Sequence, residues 1–417
     1  MNRKKANYSI IDKILNYSIM DDKTEIIKRH LTLSHYINAN EITSFQKKCI
    51  DEIRVRLKDT LKLYPDYDTD FSILRWIMGY DYDINVIVPK MKVSIETLVA
   101  LDIKNIKFEV PEDINEHIVK YSPAAQFFPG GIMGLDKNGN AIIVQPLAKA
   151  IPKLLVKTEK ASLLHHLSIV EIEMAFTLIR EEEKKRNTKL GAMIIMDLDG
   201  FSTDLLYMPA VRIYLSLLSL LQDLFPDFAR SLYIINCPKI IGQLLMLVRP
   251  VLAKQTREKI KILGDNWRDV LREELGEEHL YPQWGGNKKI CGKYEKINIR
   301  PGGIPPDNLL FTEERLNNNF NLKNLNKINI PAGSIKNITV RANKGQQLLW
   351  YFTCPKDIDF KILLKGITQW PNFRISTEFV PEFGNFIARE SGEYEFIFDN
   401  SYGTFFSKNV YYIIYAK

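Results

Sequence analysis

The sequence predicts a mixed architecture, α/β followed by all-β, with a helical region leading into it. Two changes of hydrophobic period carry that expectation. Up to about residue 115 apolar residues recur at helical spacing, and from about 120 short unbroken apolar runs alternate with longer helical stretches. Beyond residue 306 the pattern alternates with a period of two, the signature of half-buried strands. At 417 residues the chain is longer than one ordinary domain. The expected division is a helical region over 1–115, an α/β domain over 116–286, a linker over 287–306 and a β-sandwich over 307–417.

In the helical region, Phe45, Ile53, Val55 and Leu57 mark a first helix. A second starts at Asp70, read as its N-cap, and keeps Phe71, Ile73, Leu74, Ile77 and Met78 at helical spacing until Gly79 ends it. Ala141–Gln145 comes after the turn Asp136-Lys-Asn-Gly-Asn and reads as a strand. Met193–Met196 and Leu232–Ile235 are continuous apolar runs, as expected of parallel strands buried on both faces, and Lys259–Leu263 is a fourth candidate. Between them lie a helix over 162–186, whose last turn Glu-Glu-Glu-Lys-Lys-Arg reads as a solvated end, and an apolar helix over 209–225. Strands alternating with helices give a mostly parallel sheet. In the last part Leu348, Trp350 and Phe352 alternate, as do Ile358, Phe360, Ile362 and Leu364, then Tyr394, Phe396 and Phe398, then Val410, Tyr412 and Ile414. Short alternating strands with Gly and Pro turns predict a sandwich.

Composition narrows the function class. Hydrophobic residues are 46% and charged residues 26%, a globular balance. The 57 Lys and Arg against 50 Asp and Glu give +7, a mild bias compatible with an anionic membrane surface. Nucleic acid is not expected as a partner, because no basic stripe with interleaved aromatics occurs. Cys49, Cys237, Cys291 and Cys354 are scattered and form no CxxC pair, so neither disulfides nor a metal site is expected. The basic start lacks an apolar segment behind it, so no signal peptide is read and a cytoplasmic location is expected, leaving the sequons at Asn7, Asn16 and Asn337 idle. Ser231–Val248 is nearly long enough for a membrane span, but Asn236, Pro238, Lys239 and Gly242 interrupt it. It reads as a strand, a turn and an apolar helix.

The sharpest enzymatic motif is Asp197-Leu-Asp199-Gly200 after an apolar strand, which resembles the first motif of haloacid-dehalogenase-type phosphatases. Gly264-Asp265 with Asp269 resembles their magnesium motif. Against this alternative, Phe201 replaces the usual Thr or Val, and no Ser/Thr-then-Lys pair lies between the motifs. The simpler reading makes Asp197 and Asp199 capping or loop residues. His165 and His166 are neighbours on a helix and point to different faces, so they read as structural or solvent-facing. No catalytic residue and no cofactor other than a bound ligand is expected. The helix from Pro238 carries Ile240, Ile241, Leu244, Leu245 and Val248 on more than one face. Composition leaves two readings open: a core helix, or a lid whose inner face covers an apolar ligand.

Several stretches in order carry a family resemblance. They are Asp70-Phe-Ser-Ile-Leu-Arg-Trp-Ile with Tyr82-Asp83, Gly131 to Asn140, Phe225-Pro-Asp and Leu232 to Lys239. Val248-Arg-Pro-Val-Leu, Lys261 to Trp267 and Tyr281-Pro-Gln-Trp-Gly-Gly come next. In this order residues 70–286 resemble the CRAL-TRIO lipid-transfer domain with its helical N-terminal part. Leu349-Trp-Tyr-Phe, Phe379-Val-Pro-Glu and Phe398-Asp-Asn-Ser-Tyr make residues 300–416 resemble the Golgi-dynamics (GOLD) β-sandwich. The pair is similar to the animal tocopherol-associated, or supernatant-protein-factor, branch.

The resemblance implies a non-enzymatic protein that encloses one lipid behind a gate over 238–258 and transfers or presents it between membranes. The GOLD part would contact a protein or membrane partner, an adaptor acting through that part alone being a further alternative, and the protein would sit peripherally on intracellular membranes. In relatives that hold phosphatidylinositol an acidic residue and a gate basic residue act together, and Asp227 and Arg249 match those positions. The plainer reading of that pair is a structural ion pair. The basic pair after the opening helix is replaced by Tyr80-Asp81, and two strand hydroxyls by Ala192 and Ile194. Fewer charged and hydroxyl donors weaken a phosphate site. The expected ligand is therefore a hydrophobic lipid of tocopherol, squalene, acyl or phosphoinositide type, with the more apolar ones favoured.

Overall fold

The computed structural model describes residues 36–417 except 240–241, 243–245, 247, 290–298 and 317–318. The expected gate residues Ile240, Ile241, Leu244 and Leu245, and Cys291, lie outside the described residues.

The chain opens with helices α1 (Ser44–Arg56), α2 (Lys58–Leu63), α3 (Asp70–Gly79), α4 (Ile84–Ala100) and α5 (Pro111–Tyr121). Thr43 caps α1, accepting from the Gln46 amide at 3.2 Å. The helix buries Cys49, Ile50 and Ile53, whereas Val55, expected on its apolar stripe, is 76% exposed. The cap of α3 is Thr69, not Asp70: its hydroxyl accepts from the Ser72 amide at 3.1 Å. Asp70 instead begins the helix and pairs with Arg54 at 2.7 Å.

Next come strands β1 (Gly131–Leu135) and β2 (Ala141–Gln145), the short helix α6 (Pro152–Leu155), the long helix α7 (Ala161–Arg186) and β3 (Ala192–Asp197). After them stand α8 (Met208–Leu224), β4 (Ala229–Ile235), α9 (Lys254–Glu258), β5 (Ile260–Ile262) and α10 (Trp267–Leu275). The turn between β1 and β2 is set by Asp136, whose carboxylate accepts from the amides of Asn138 at 2.9 Å and Asn140 at 2.7 Å. These strands form a five-stranded sheet in the order β1-β2-β3-β4-β5, antiparallel at β1–β2 and parallel from β2 to β5. The apolar stretch that begins at Ser231 is interrupted as expected: its first residues belong to β4, and the strand ends at Ile235. Helix α7 is long and apolar enough to cross a membrane, yet most of its apolar window is buried inside the protein. Its charged last turn is not simply solvated: Glu183 is buried and paired with the equally buried Arg75.

The C-terminal part holds β6 (Asn326–Ile330), β7 (Ile335–Ala342), β8 (Gln347–Thr353), β9 (Ile358–Leu364), β10 (Ile367–Ile375), β11 (Glu382–Ile387), β12 (Gly392–Asp399) and β13 (Lys408–Ala416). Two four-stranded antiparallel sheets result, β10-β9-β12-β7 and β11-β8-β13-β6. Their inner faces meet over Trp350, Phe352, Phe360, Phe373, Phe396 and Phe398, all fully buried. Trp350 lies against Gly384, where a Cβ would come within 2.2 Å of the indole, so only glycine fits. The fold class expected from the sequence, helical lead-in, largely parallel α/β sheet and all-β C-terminal part, is the one observed.

The sandwich packs on the α/β part along β10 and β11. Thr368 donates to Glu96 of α4 at 3.1 Å, and Lys160 at the head of α7 faces Glu382 at 3.6 Å. Arg315 grips Glu159 with two bonds of 2.9 and 2.8 Å. His165 of α7 lies 5.4 Å from the ring of Phe373.

Candidate functional site

The parallel strands turn alternate side chains to opposite faces. On one face Val144, Ile195 and Tyr233 pack with Trp267, Leu271 and Leu275 of α10 into a closed core. The other face is different. Register aligns Ile143, Ile194, Leu232 and Ile260 into one apolar rung across four strands, with Gln145, Met196 and Ile234 forming the next. Above these rungs lies a cavity of about 410 Å³. Helix α7 contributes Ser168 and Ile172 to its wall, α8 contributes Tyr214, Leu217, Leu218 and Leu221, and Val248, Val251 and Leu252 border it from the segment after β4.

The cavity explains an oddity of α8. Its sequence is apolar nearly all round, yet of its residues only Val211 and Leu224 are buried. A helix of that composition would normally sink into a core; here its inner face borders a hollow. An apolar occupant would gain roughly 0.8 kcal/mol per buried methylene.

One end of the cavity is polar and already neutralised. Gly79, closing α3, lies against Pro226, where a Cβ at Gly79 would come within 2.6 Å of the proline Cβ. The next residue, Asp227, holds a left-handed φ of 53°. Its carboxylate accepts from Lys189 and Lys259, each at 2.6 Å. Burial would raise the Asp227 carboxyl, but the two ammonium groups outweigh it and hold it well below the usual carboxylate range. Burial likewise draws the Lys189 ammonium down from the usual lysine value, and Asp227 opposes that shift.

The expected ligand residues therefore separate. Tyr80, Ile194, Asp227 and Val248 line the cavity. Ala192 lies under the same sheet face but is closed into the core. Arg249 stands exposed on the turn after Val248 and is no partner of Asp227, correcting the ion-pair reading: the counter-charges are the two lysines. Tyr80 stacks on Trp76 with ring centroids 5.9 Å apart, and its hydroxyl faces Asp223 at 3.4 Å.

Gln222 belongs to no motif in the sequence, yet it ties the segment ahead of α9 to α8. Its amide oxygen accepts from the Ala253 amide at 2.6 Å and its NH2 donates to the Val251 carbonyl at 3.0 Å. Gln255 donates to the Met78 carbonyl at 2.8 Å and anchors the same segment to α3. The one signal that could have found Gln222 is the spacing of Ser216, Ser219 and Gln222, three apart in an otherwise apolar helix.

The phosphatase motif is occupied otherwise. Asp197 accepts from Asn236 at 2.7 Å, from the Trp284 indole at 3.1 Å and from the Asp199 amide at 3.0 Å. It joins the ends of two strands to the segment closing the α/β part, as a loop residue does. Asp269 pairs with Arg272 at 2.8 Å. Among the described residues no group of three or more His, Cys, Asp or Glu could hold a metal ion. His165 and His166 are both buried within α7.

Residues 127–286 match the family model of the CRAL/TRIO domain. The chain is similar to a CRAL-TRIO domain-containing protein of Caenorhabditis elegans, 24% identical over 91% of this chain and 98% of that one. It is similar to Protein real-time of Aedes aegypti at 24% identity, over 71% of this chain and 43% of that one. A second Caenorhabditis elegans CRAL-TRIO domain-containing protein is 23% identical over 59% of each chain. Among solved structures, the crystal structure of Sfh5 aligns with a TM-score of 0.44 and 14% identity, over 66% of this chain and 96% of that chain. The matched residues span all five strands of the α/β sheet.

Proposed function

We propose that this chain is a non-enzymatic lipid-transfer protein that carries one predominantly apolar lipid in the cavity between its sheet and α8. The observation that carries this reading is the cavity itself: an apolar rung of four strands facing an apolar helix with a hollow between them. Residues 238–258 act as the gate, opening at a membrane and shutting in water; without such movement an enclosed lipid would leave negligibly slowly. Gln222 and Gln255 hold the far end of that segment and define where it hinges.

The ligand preference rests on the charges. Among the described residues lining the cavity Lys259 is the one cation, and Asp227 already neutralises it. A phosphate there would have to displace Asp227 from two buried ammonium groups. A neutral lipid with at most one hydroxyl or carbonyl, of tocopherol, squalene-like or acyl type, meets no such competition. Tyr214 supplies a protonated hydroxyl in the wall, its value pushed up to about 12 by the protein around it. The C-terminal sandwich acts as a GOLD-type module that brings the carrier to its partner surface, on the cytoplasmic side of intracellular membranes. Residues 1–115, 116–286 and 307–417 are the corresponding functional units.

Vesicle-to-vesicle transfer tests the reading. The chain should speed movement of a fluorescent tocopherol or acyl lipid from donor to acceptor vesicles. Leu218→Asp, which puts a charge in the wall, should slow it by ~100-fold, the cost of one unpaired charge in an apolar site. Equal rates with and without the protein would contradict the proposal.

A further inference from the structure

The large exposed aromatics of the sandwich gather on one loop. Between β12 and β13 residues 400–407 read Asn-Ser-Tyr-Gly-Thr-Phe-Phe-Ser, and Tyr402, Phe405 and Phe406 are 75%, 86% and 66% exposed. The base of the loop is fixed. Asn400 is buried, and its NH2 donates to the carbonyls of Ile330 at 3.2 Å, Pro331 at 3.1 Å and Phe406 at 3.1 Å. That frame turns the aromatic rings outward instead of letting them fold back onto the sandwich.

Two cations lie against the rings. The Lys356 ammonium lies 4.7 Å from the Phe406 ring centre, and the Arg374 guanidinium 4.0 Å from that of Tyr402. Lys408 begins the next strand and donates to the Asp357 carbonyl. Asp359 is engaged by Arg374 through bonds of 2.8 and 3.1 Å, and Asp399 accepts from the Ser401 amide at 2.7 Å. The loop leaving β10 at this same end touches the cavity helix: Glu378 pairs with Arg212 of α8 at 3.0 Å, and Phe379 packs on Tyr207.

We propose that the 400–407 loop is a membrane-docking element that inserts its three aromatic side chains into the headgroup region of an anionic bilayer. Aromatic rings beside lysine and arginine stems are the composition of interfacial anchors, whose rings sit at headgroup depth while the cations meet anionic lipid. A single protruding loop is too small for a stable protein partner, which needs roughly 800 Å² of complementary surface on each side. A fluid bilayer needs no such shape match. The loop is distinct from the cavity, so this inference does not depend on what the cavity holds.

Cosedimentation of the full chain with phosphatidylcholine vesicles, with and without phosphatidylserine, tests it. The wild-type chain should bind the anionic vesicles, and binding should weaken with salt. The triple variant Tyr402→Ser, Phe405→Ser, Phe406→Ser should lose binding by at least ~10-fold while keeping its thermal midpoint, because the replaced side chains are exposed. Lys356→Gln should bind ~3- to 5-fold more weakly to anionic vesicles alone, the share of one lysine near the surface. Unchanged binding by the triple variant would overturn the proposal. So would a wild-type chain that ignores both kinds of vesicle.

Discussion

Asp227 is held by lysines from two places far apart in the chain, Lys189 ahead of β3 and Lys259 ahead of β5. The acidic residue itself was legible, because it comes directly after Phe225-Pro; its partners were not, since neither sequence neighbourhood marks a lysine as buried. The exposed Arg249 shows the limit of pairing by motif position. Removing the carboxylate leaves two buried ammonium groups without a counter-charge. Asp227→Asn should therefore destabilise the fold by ~3–5 kcal/mol in chemical denaturation. The pH dependence has a definite sign. A carboxyl held below its unfolded value contributes stability that is fully present above about pH 4 and is lost as pH falls through its folded value. Wild type should thus lose stability in acid more steeply than Asp227→Asn; parallel curves would show that the lysines do not set the carboxyl.

At the scale of elements, the strands were the most legible parts. Met193–Met196 and Leu232–Ile235 are β-rich runs that suit only a sheet covered on both faces, and both became inner strands. Helix α7 was legible in extent but not in environment. Its Glu-Glu-Glu-Lys-Lys-Arg turn looks solvated in sequence, whereas Glu183 serves the buried Arg75, a partner 108 residues away. The same helix buries His165 and His166 beneath β10 and α5, His166 facing Tyr121 with ring centroids 5.0 Å apart. Burial pushes both imidazoles down to about 4, with Lys160 and His117 adding to the effect at His166. Both groups take a proton more readily in the unfolded chain, where the value is about 6.5. Their contribution is therefore intact above about pH 6.5 and lost as pH falls towards 4, on the order of 3 kcal/mol for each. His165→Phe should flatten the fall in thermal midpoint between about pH 6.5 and about pH 4. An unchanged slope would show that His165 is not buried under the sandwich.

On the scale of the whole molecule, the sequence separates the three regions because each has its own period, but it is silent on how they dock. Thr368 with Glu96, Lys160 with Glu382 and Arg315 with Glu159 are single side chains whose partners lie in another region. No periodicity records such a match. The cavity was hidden for a related reason. The leucines of α8 read the same whether they press on a core or face a hollow, and only the sheet register shows that Ile143, Ile194, Leu232 and Ile260 line up across that hollow. Above all else, the function proposed for the molecule requires that the hollow be shaped for a single apolar lipid.

Organic extraction of the purified chain, with lipid mass spectrometry of the extract, tests that claim most directly, with Ile194→Trp alongside to fill the cavity from its floor. The expected result is about one neutral or acyl lipid per wild-type chain, little phosphoinositide, and loss of the lipid in a variant that stays folded. Wild-type protein that yields no lipid even after incubation with tocopherol- or acyl-lipid-loaded vesicles would contradict it, as would a ligand that Ile194→Trp retains undiminished.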